Sequence, residues 1–124
     1  MPNTEDEEIL HDLAFLYFTM AYGADRDLDE SELAMIQEKL SGRYPDLDQE
    51  VIDRAASSAL RDYMDADDPM DEAGHIIEEL RDRLPEPGLR LVYADLERVA
   101  EADGQIVERE QDLLNILVES WDLA

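Results

Sequence analysis

The chain has 124 residues, enough for one domain with its own hydrophobic core. It carries 34 acidic residues and only 10 basic ones, a formal net charge of −24, so direct binding to nucleic acid or to an anionic membrane is not expected. Cysteine is absent, which excludes disulfides, thiol catalysis and cysteine-ligated zinc.

Apolar residues recur with helical periodicity along the whole chain, and no stretch has the two-residue alternation typical of a strand. A Thr4–Glu7 capping box, the Gly42 stop and the Asp68-Pro69 start mark three of the helix ends. The predicted helices, in chain order, are Glu5–Tyr22, the residue after Asp29 to Gly42, Asp48–Asp65, Pro69–Leu84, Gly88–Ala102 and Glu108–Trp121.

Each predicted helix has an apolar stripe that we expect to be buried. The first and last helices, for example, are expected to bury Leu10, Leu13, Tyr17, Met20, Leu113, Leu114, Leu117 and Trp121. We expect Trp121 to pack against the first or fifth helix. All connections are short, so neighbouring helices must pack closely. The sequence therefore predicts a single all-α domain over residues 1–124, a compact bundle of six to seven helices.

The two ends of the chain are similar to each other at an offset of 78 residues. Residues 24–32, ADRDLDESE, align with residues 102–110, ADGQIVERE. The apolar positions around them agree as well: Phe15 with Tyr93, Phe18 with Leu96, and Ile36 with Leu114. We therefore predict a pseudo-twofold pair of helix–loop–helix units that enclose two central helices.

The second copy resembles the helix, A-D-G-x-I-x-x-x-E, helix signature of the tellurite-resistance TerB-like family. Ala102 through Glu110, followed by Leu113 and Leu114, carries the resemblance, whereas the first copy departs from it with Arg26 in place of the glycine. The resemblance implies a compact helical domain without catalytic activity. It also implies a role in stress response or in membrane-associated signalling complexes, with metal chelation by the acidic residues.

The acidic residues of the two loops are candidate metal ligands. Asp25 and Asp103 are predicted to follow a helix C-terminus, where a negative charge is unfavourable and requires compensation. Loop N–H groups are one source, and a Ca²⁺ or Mg²⁺ ion bound with Glu32 and Glu110 is the other. A complete EF-hand is excluded, because Val99 and Ala21 occupy its first ligand position.

Other polar residues have simpler interpretations. His11 and His75 lack a second histidine at metal-ligand spacing and are expected at the edge of the core. The acidic cluster of Asp65, Asp67, Asp68, Asp71 and Glu72 is interpreted mainly as the cap and first turn of the fourth helix.

The leading functional hypothesis is a non-catalytic TerB-like interaction or sensing module with protein partners, working in the cytoplasm. The alternatives are a carboxylate- and metal-dependent hydrolase and a calcium-buffering protein. No segment predicts a membrane span, because the longest uncharged run has 12 residues and a span needs about 20. The acidic composition with one lysine, Lys39, also favours a salt-adapted protein.

Overall fold

The helices begin and end close to the residues that the sequence predicts. The structure, a computed structural model, describes residues 4–22, 30–101 and 108–123, with side chains at 7–20, 34, 36–42, 44–98, 108 and 111–123. Within these ranges it contains six helices and no strand, which confirms the all-α prediction. They are α1 Thr4–Tyr22, α2 Glu30–Arg43, α3 Gln49–Asp65, α4 Pro69–Arg83, α5 Glu86–Glu101 and α6 Glu108–Trp121.

Two helix starts show how local chemistry determines the boundaries. At α4 the Asp68 carboxylate accepts a hydrogen bond from the Asp71 backbone N–H at 3.3 Å, and Pro69 follows it, so this predicted cap is confirmed. Helix α5 begins at Glu86, two residues before the predicted Gly88, and so includes Pro87 in its first turn. Proline is tolerated there because first-turn N–H groups have no partner within the helix.

The centre of the bundle is α1, and this differs from the predicted pair of central helices. Every residue from 13 to 20 is buried, and α1 packs against α2, α3, α4 and α5. The predicted stripe is buried, and so are the residues between its members, such as Phe15, Leu16 and Phe18. A helix that is apolar on all sides must be covered on all sides. The other helices therefore wrap around α1.

Buried polar groups around α1 have hydrogen-bond partners. Thr19 donates its hydroxyl to the Phe15 carbonyl oxygen one turn earlier, at 2.9 Å. Tyr17 donates its phenolic O–H to the Asp95 carboxylate of α5, at 3.1 Å. A buried polar group without a partner would be costly, so the Tyr17–Asp95 bond fixes how α5 lies on α1.

Helix α6 closes the bundle against α4 and α5. The Trp121 side chain is 4% exposed, and its indole N–H donates to the Ile77 carbonyl oxygen of α4 at 2.8 Å. The burial of Trp121 is confirmed, but the hydrogen bond connects it to α4, which the sequence reading did not name. After α6 the chain turns at Asp122, whose φ is 53°, and the Leu123 N–H bonds the Val118 carbonyl at 3.1 Å. This is a Schellman ending with aspartate where glycine is usual.

Candidate functional site

A groove of about 510 Å³ lies between α1, α3 and α4. Its floor includes the buried side chains of Val51 and Ala55 from α3, and charged side chains surround them. A concavity of this volume is within the range of ligand-binding sites in proteins. The lining consists of Glu7, Glu8, His11, Asp12, Val51, Arg54, Ala55, Ser58, Glu79 and Arg83.

The charged end of α1 forms one wall of the groove. Glu7 precedes His11 by one helical turn, and Glu8 precedes Asp12 by the same spacing, so each pair shares a face of the helix. Ile9 and Leu10, on the opposite side of these turns, are already buried in the core, and every residue from 13 to 20 is buried. The first turns of α1 therefore contribute to the groove on one face and to the core on the other, whereas the later turns contribute to the core alone.

Two arginines reach across the groove to these carboxylates. Arg54 extends from α3, and its Nη2 lies 3.7 Å from Glu7 Oε1. Arg83 extends from the last turn of α4, and its Nη1 lies 3.1 Å from Glu8 Oε2 and 4.0 Å from Asp12 Oδ2. Glu7 and Glu8 are thus each paired with an arginine from a neighbouring helix, in a protein whose overall charge is strongly negative.

His11 connects α1 to α3 at the edge of the same groove. Its Nε2 lies 2.6 Å from Asp62 Oδ2, and its Nδ1 lies 3.1 Å from Asp12 Oδ1. Ionised carboxylates only accept hydrogen bonds, so a ring that bonds both must donate from both nitrogens and carry a positive charge. The bond to Asp12 raises the pKa of His11 above its ordinary value of 6.5; partial burial opposes this shift, and the bond to Asp62 adds to it.

A smaller cleft of about 220 Å³ includes both members of the His11–Asp62 pair in its lining. It is lined by His11, Phe15, Asp62, Asp65, Ala66 and Glu72. His11 therefore contributes to both concavities, and its protonation affects the charge of each. Two members of the acidic cluster, Asp65 and Glu72, line this cleft, whereas Asp68 acts as the helix cap described above.

Carboxylates of the groove lie beside arginines, and they do not converge on a common point. Metal-dependent hydrolysis needs several ligating side chains that converge on one ion. Among the side chains that the structure describes, no group of three or more His, Asp or Glu residues could hold a metal ion. What the groove offers is an apolar floor surrounded by acids and bases, an arrangement that can hold a charged and partly apolar surface.

The four predicted metal ligands lie outside the described side chains. Asp25 and Asp103 fall in segments 23–29 and 102–107, of which the structure describes nothing. Glu32 and Glu110 are the third residues of α2 and α6, where only the backbone is described. Metal binding by these residues therefore stays a prediction, and so does the role of Arg26.

The two histidines differ in environment. His75 is exposed on α4, with its Nε2 3.7 Å from Asp71 Oδ2 one turn earlier. His11 is partly buried and bonded to Asp62, which is 51 residues away in the sequence. His11 lies at the edge of the core, as predicted, whereas the expectation that His75 would lie there was wrong, because its side chain is 66% exposed. The sequence carried no signal for the His11–Asp62 pair, because nothing in the helical pattern relates two residues so far apart.

None of the described helices is long and apolar enough to cross a membrane. No family model, curated protein or solved structure matches this chain significantly. The features that bear on function are therefore the groove, the charge distribution and the internal similarity of the sequence.

Proposed function

We propose that this chain is a non-catalytic protein-interaction module of the TerB-like kind, acting in a cytoplasmic stress response, and that it binds its partner in the groove between α1, α3 and α4. The observation that carries the proposal is the groove itself, with an apolar floor at Val51 and Ala55 and charges paired across it. Interfaces of regulatory modules commonly combine an apolar centre with a polar rim.

The packing of α1 against α5 is one observation that supports the internal duplication predicted from the sequence. Tyr17 and Asp95 are 78 residues apart, which is the offset of the two sequence copies, and their side chains are hydrogen-bonded. Equivalent residues meet in this way where a pseudo-twofold axis passes between two units. The copies are not in equivalent environments, since Leu13 is 0% exposed and its counterpart Leu91 is 50% exposed. A duplication that placed one copy's first helix at the centre accounts for both observations.

Site-specific photo-crosslinking tests the interaction. The neighbouring serines Ser57 and Ser58 are both exposed on α3, but only Ser58 is among the groove-lining residues, so they form a matched pair. A photoreactive amino acid at Ser58 should crosslink in cells to a discrete protein that the same group at Ser57 does not capture.

The captured protein must then bind directly. Purified, it should bind wild type and Ser57→Trp alike, whereas Ser58→Trp, which places a large ring in the groove, should weaken binding at least about tenfold. A captured protein that binds Ser58→Trp as tightly as wild type would refute the groove as the docking site.

A divalent cation at the second loop is a separate part of the TerB-like proposal. We expect Ca²⁺ or Mg²⁺ to bind weakly through Asp103 and Glu110, with Asp25 and Glu32 forming the corresponding pair in the first copy. Titration of either ion, followed by amide NMR, should shift residues about 101 to 111, and Asp103→Asn should abolish the shifts. Shifts spread over the whole acidic surface would indicate counterion condensation and remove the metal from the proposal.

A further inference from the structure

The ion pairs of the groove are exposed enough to be exchanged. In the Arg54–Glu7 pair the side chains are 65% and 40% exposed, and the two atoms lie 3.7 Å apart. The Arg83–Glu8 pair is shorter, at 3.1 Å, but Glu8 is 54% exposed. Pairs of this kind contribute little to stability, because water screens them and both side chains lose freedom. A competing charge of the right sign can therefore replace either partner at low cost.

The charge of the whole protein decides which partner is replaced. An anionic ligand could compete for the two arginines only by approaching a molecule of net charge −24. A cationic ligand is attracted by the same field, and the attraction raises its local concentration and its association rate. The carboxylates of Glu7 and Glu8 are consequently the accessible binding groups, and Arg54 and Arg83 occupy them in the free protein.

The spacing of the lining residues indicates the shape of the ligand. Each wall presents residues one helical turn apart: Glu8 and Asp12 on α1, Val51 and Ala55 on α3, and Glu79 with Arg83 on α4. Four residues of helix rise about 6 Å. A helix laid along the groove repeats its own side chains at that interval, so its apolar stripe can follow the floor while its basic residues follow the acidic wall.

We propose that the groove binds a cationic amphipathic helix of a protein partner, with lysine or arginine side chains replacing Arg54 and Arg83 on Glu7 and Glu8, and an apolar side chain packed on Val51 and Ala55. This inference rests on the proposed interaction function and specifies its partner. The displaced arginines keep their charge but move to solvent, which the exposure of Arg54 already permits.

The test uses a synthetic peptide of about 18 leucine and lysine residues, patterned with helical periodicity. It is titrated into the full-length, isotope-labelled protein at about 0.15 M salt, where long-range attraction is screened. Amide shifts should concentrate on Glu7, Glu8, Ser58 and Glu79. A peptide of the same composition with leucine and lysine alternating should bind more weakly, and a leucine–glutamate peptide should not bind.

Two matched pairs of variants separate a site from general charge attraction. The double variant Glu7→Gln/Glu8→Gln should weaken binding by about 2- to 30-fold, the range expected for losing two exposed ion pairs. Asp112→Asn/Glu119→Gln makes the same change in net charge at exposed residues of α6 and should have no comparable effect. Ser58→Trp should abolish the localised shifts and Ser57→Trp should retain them.

Several results would overturn the inference: shifts spread evenly over the acidic surface, equal weakening by the two double variants, equal affinity for the alternating peptide, or binding of the acidic peptide. The interaction proposal fails separately. If Ser58 crosslinks to a partner that binds through the groove and the leucine–lysine peptide does not, the groove remains a docking site and its ligand is not a cationic helix.

Discussion

Trp121 allows the packing of the last helix to be divided into an apolar and a hydrogen-bonding contribution. It is the chain's one tryptophan, is 4% exposed, and donates its indole N–H to the Ile77 carbonyl oxygen at 2.8 Å. Trp121→Ala removes both contributions and should lower the free energy of unfolding by about 3–5 kcal/mol, the range for a buried large aromatic. Because the total is typically about 5–15 kcal/mol, this variant loses a large share of its stability and folds only where the wild-type free energy of unfolding exceeds that loss.

Trp121→Phe keeps most of the apolar contact and loses the donor. The Ile77 carbonyl lies within α4 and keeps its helical partner, the N–H four residues later. The Ile77 carbonyl therefore still has one hydrogen bond in the variant. The loss of the hydrogen bond from the indole should cost about 0.5–1.5 kcal/mol. With a small additional cost for the smaller ring, Trp121→Phe should lose about 1–2 kcal/mol.

Urea unfolding followed by far-UV circular dichroism measures both variants, because the tryptophan itself is no longer present as a fluorescent probe. The expected order is wild type, Trp121→Phe, Trp121→Ala, with the second step larger than the first. If Trp121→Ala costs less than about 1 kcal/mol, Trp121 does not anchor α6 and the reasoning is refuted. Equal losses for the two variants would mean that the hydrogen bond, and not burial, holds the ring.

Three further predictions concern the charges and the end of the chain. Because the pKa of His11 is raised on folding, its contribution to stability is complete below its unfolded pKa of about 6.5 and declines as pH rises through the folded value. The difference in free energy of unfolding between wild type and His11→Gln should therefore shrink from pH 5.5 to pH 8.5, a range that extends about a unit or more on either side of the unfolded pKa. A difference that stays constant over this range in urea unfolding would contradict the prediction. Asp122→Gly should raise the free energy of unfolding by about 1 kcal/mol, since the φ of 53° favours glycine and the aspartate faces the negative end of α6. Asp122→Asn removes only the unfavourable charge and should gain less. An unchanged urea midpoint for both variants would show that this turn carries no strain. The melting temperature should rise from low salt to about 1 M salt as the Debye length falls from above 10 Å to about 3 Å, and a flat series would leave the acidic composition without this explanation.

The helix boundaries could be predicted because their signals are local. Asp68-Pro69 starts α4 through a side-chain acceptor and a fixed φ, both set by the two residues themselves. Helix α6 begins and ends where predicted, and its apolar stripe is buried. Helix α5 begins two residues before the predicted start, because Pro85 and Pro87 together resemble a break in the sequence although the second proline fits a first helical turn.

The central position of α1 was also recoverable from the sequence. We predicted a stripe of four buried residues, but Phe15, Leu16 and Phe18 between them are equally apolar. An apolar stripe is typical of a helix with one solvent-exposed face, and the uncharged run that starts at Leu13 leaves no such face on the C-terminal half of α1.

The groove could not be predicted in the same way. It depends on Arg54 meeting Glu7, Arg83 meeting Glu8 and His11 meeting Asp62, all pairs that tertiary packing brings together. Charged residues on helices usually face solvent, so their sequence pattern gives no reason to select these pairs from 34 acids and 10 bases.

The central helix constrains the order in which the molecule can be assembled during synthesis. Translation delivers α1 before the helices that cover it, and α2, α3, α4 and α5 are completed only after residues 43, 65, 83 and 101. At a synthesis rate of about 5–20 residues per second, several seconds pass between the completion of α1 and the completion of the helices that bury its apolar residues. During that interval they present a continuous hydrophobic surface, which is the kind of segment that holding chaperones bind. Full burial of α1 requires α5 as well as the earlier helices, so we expect the bundle to complete its folding only after α5 has been synthesised.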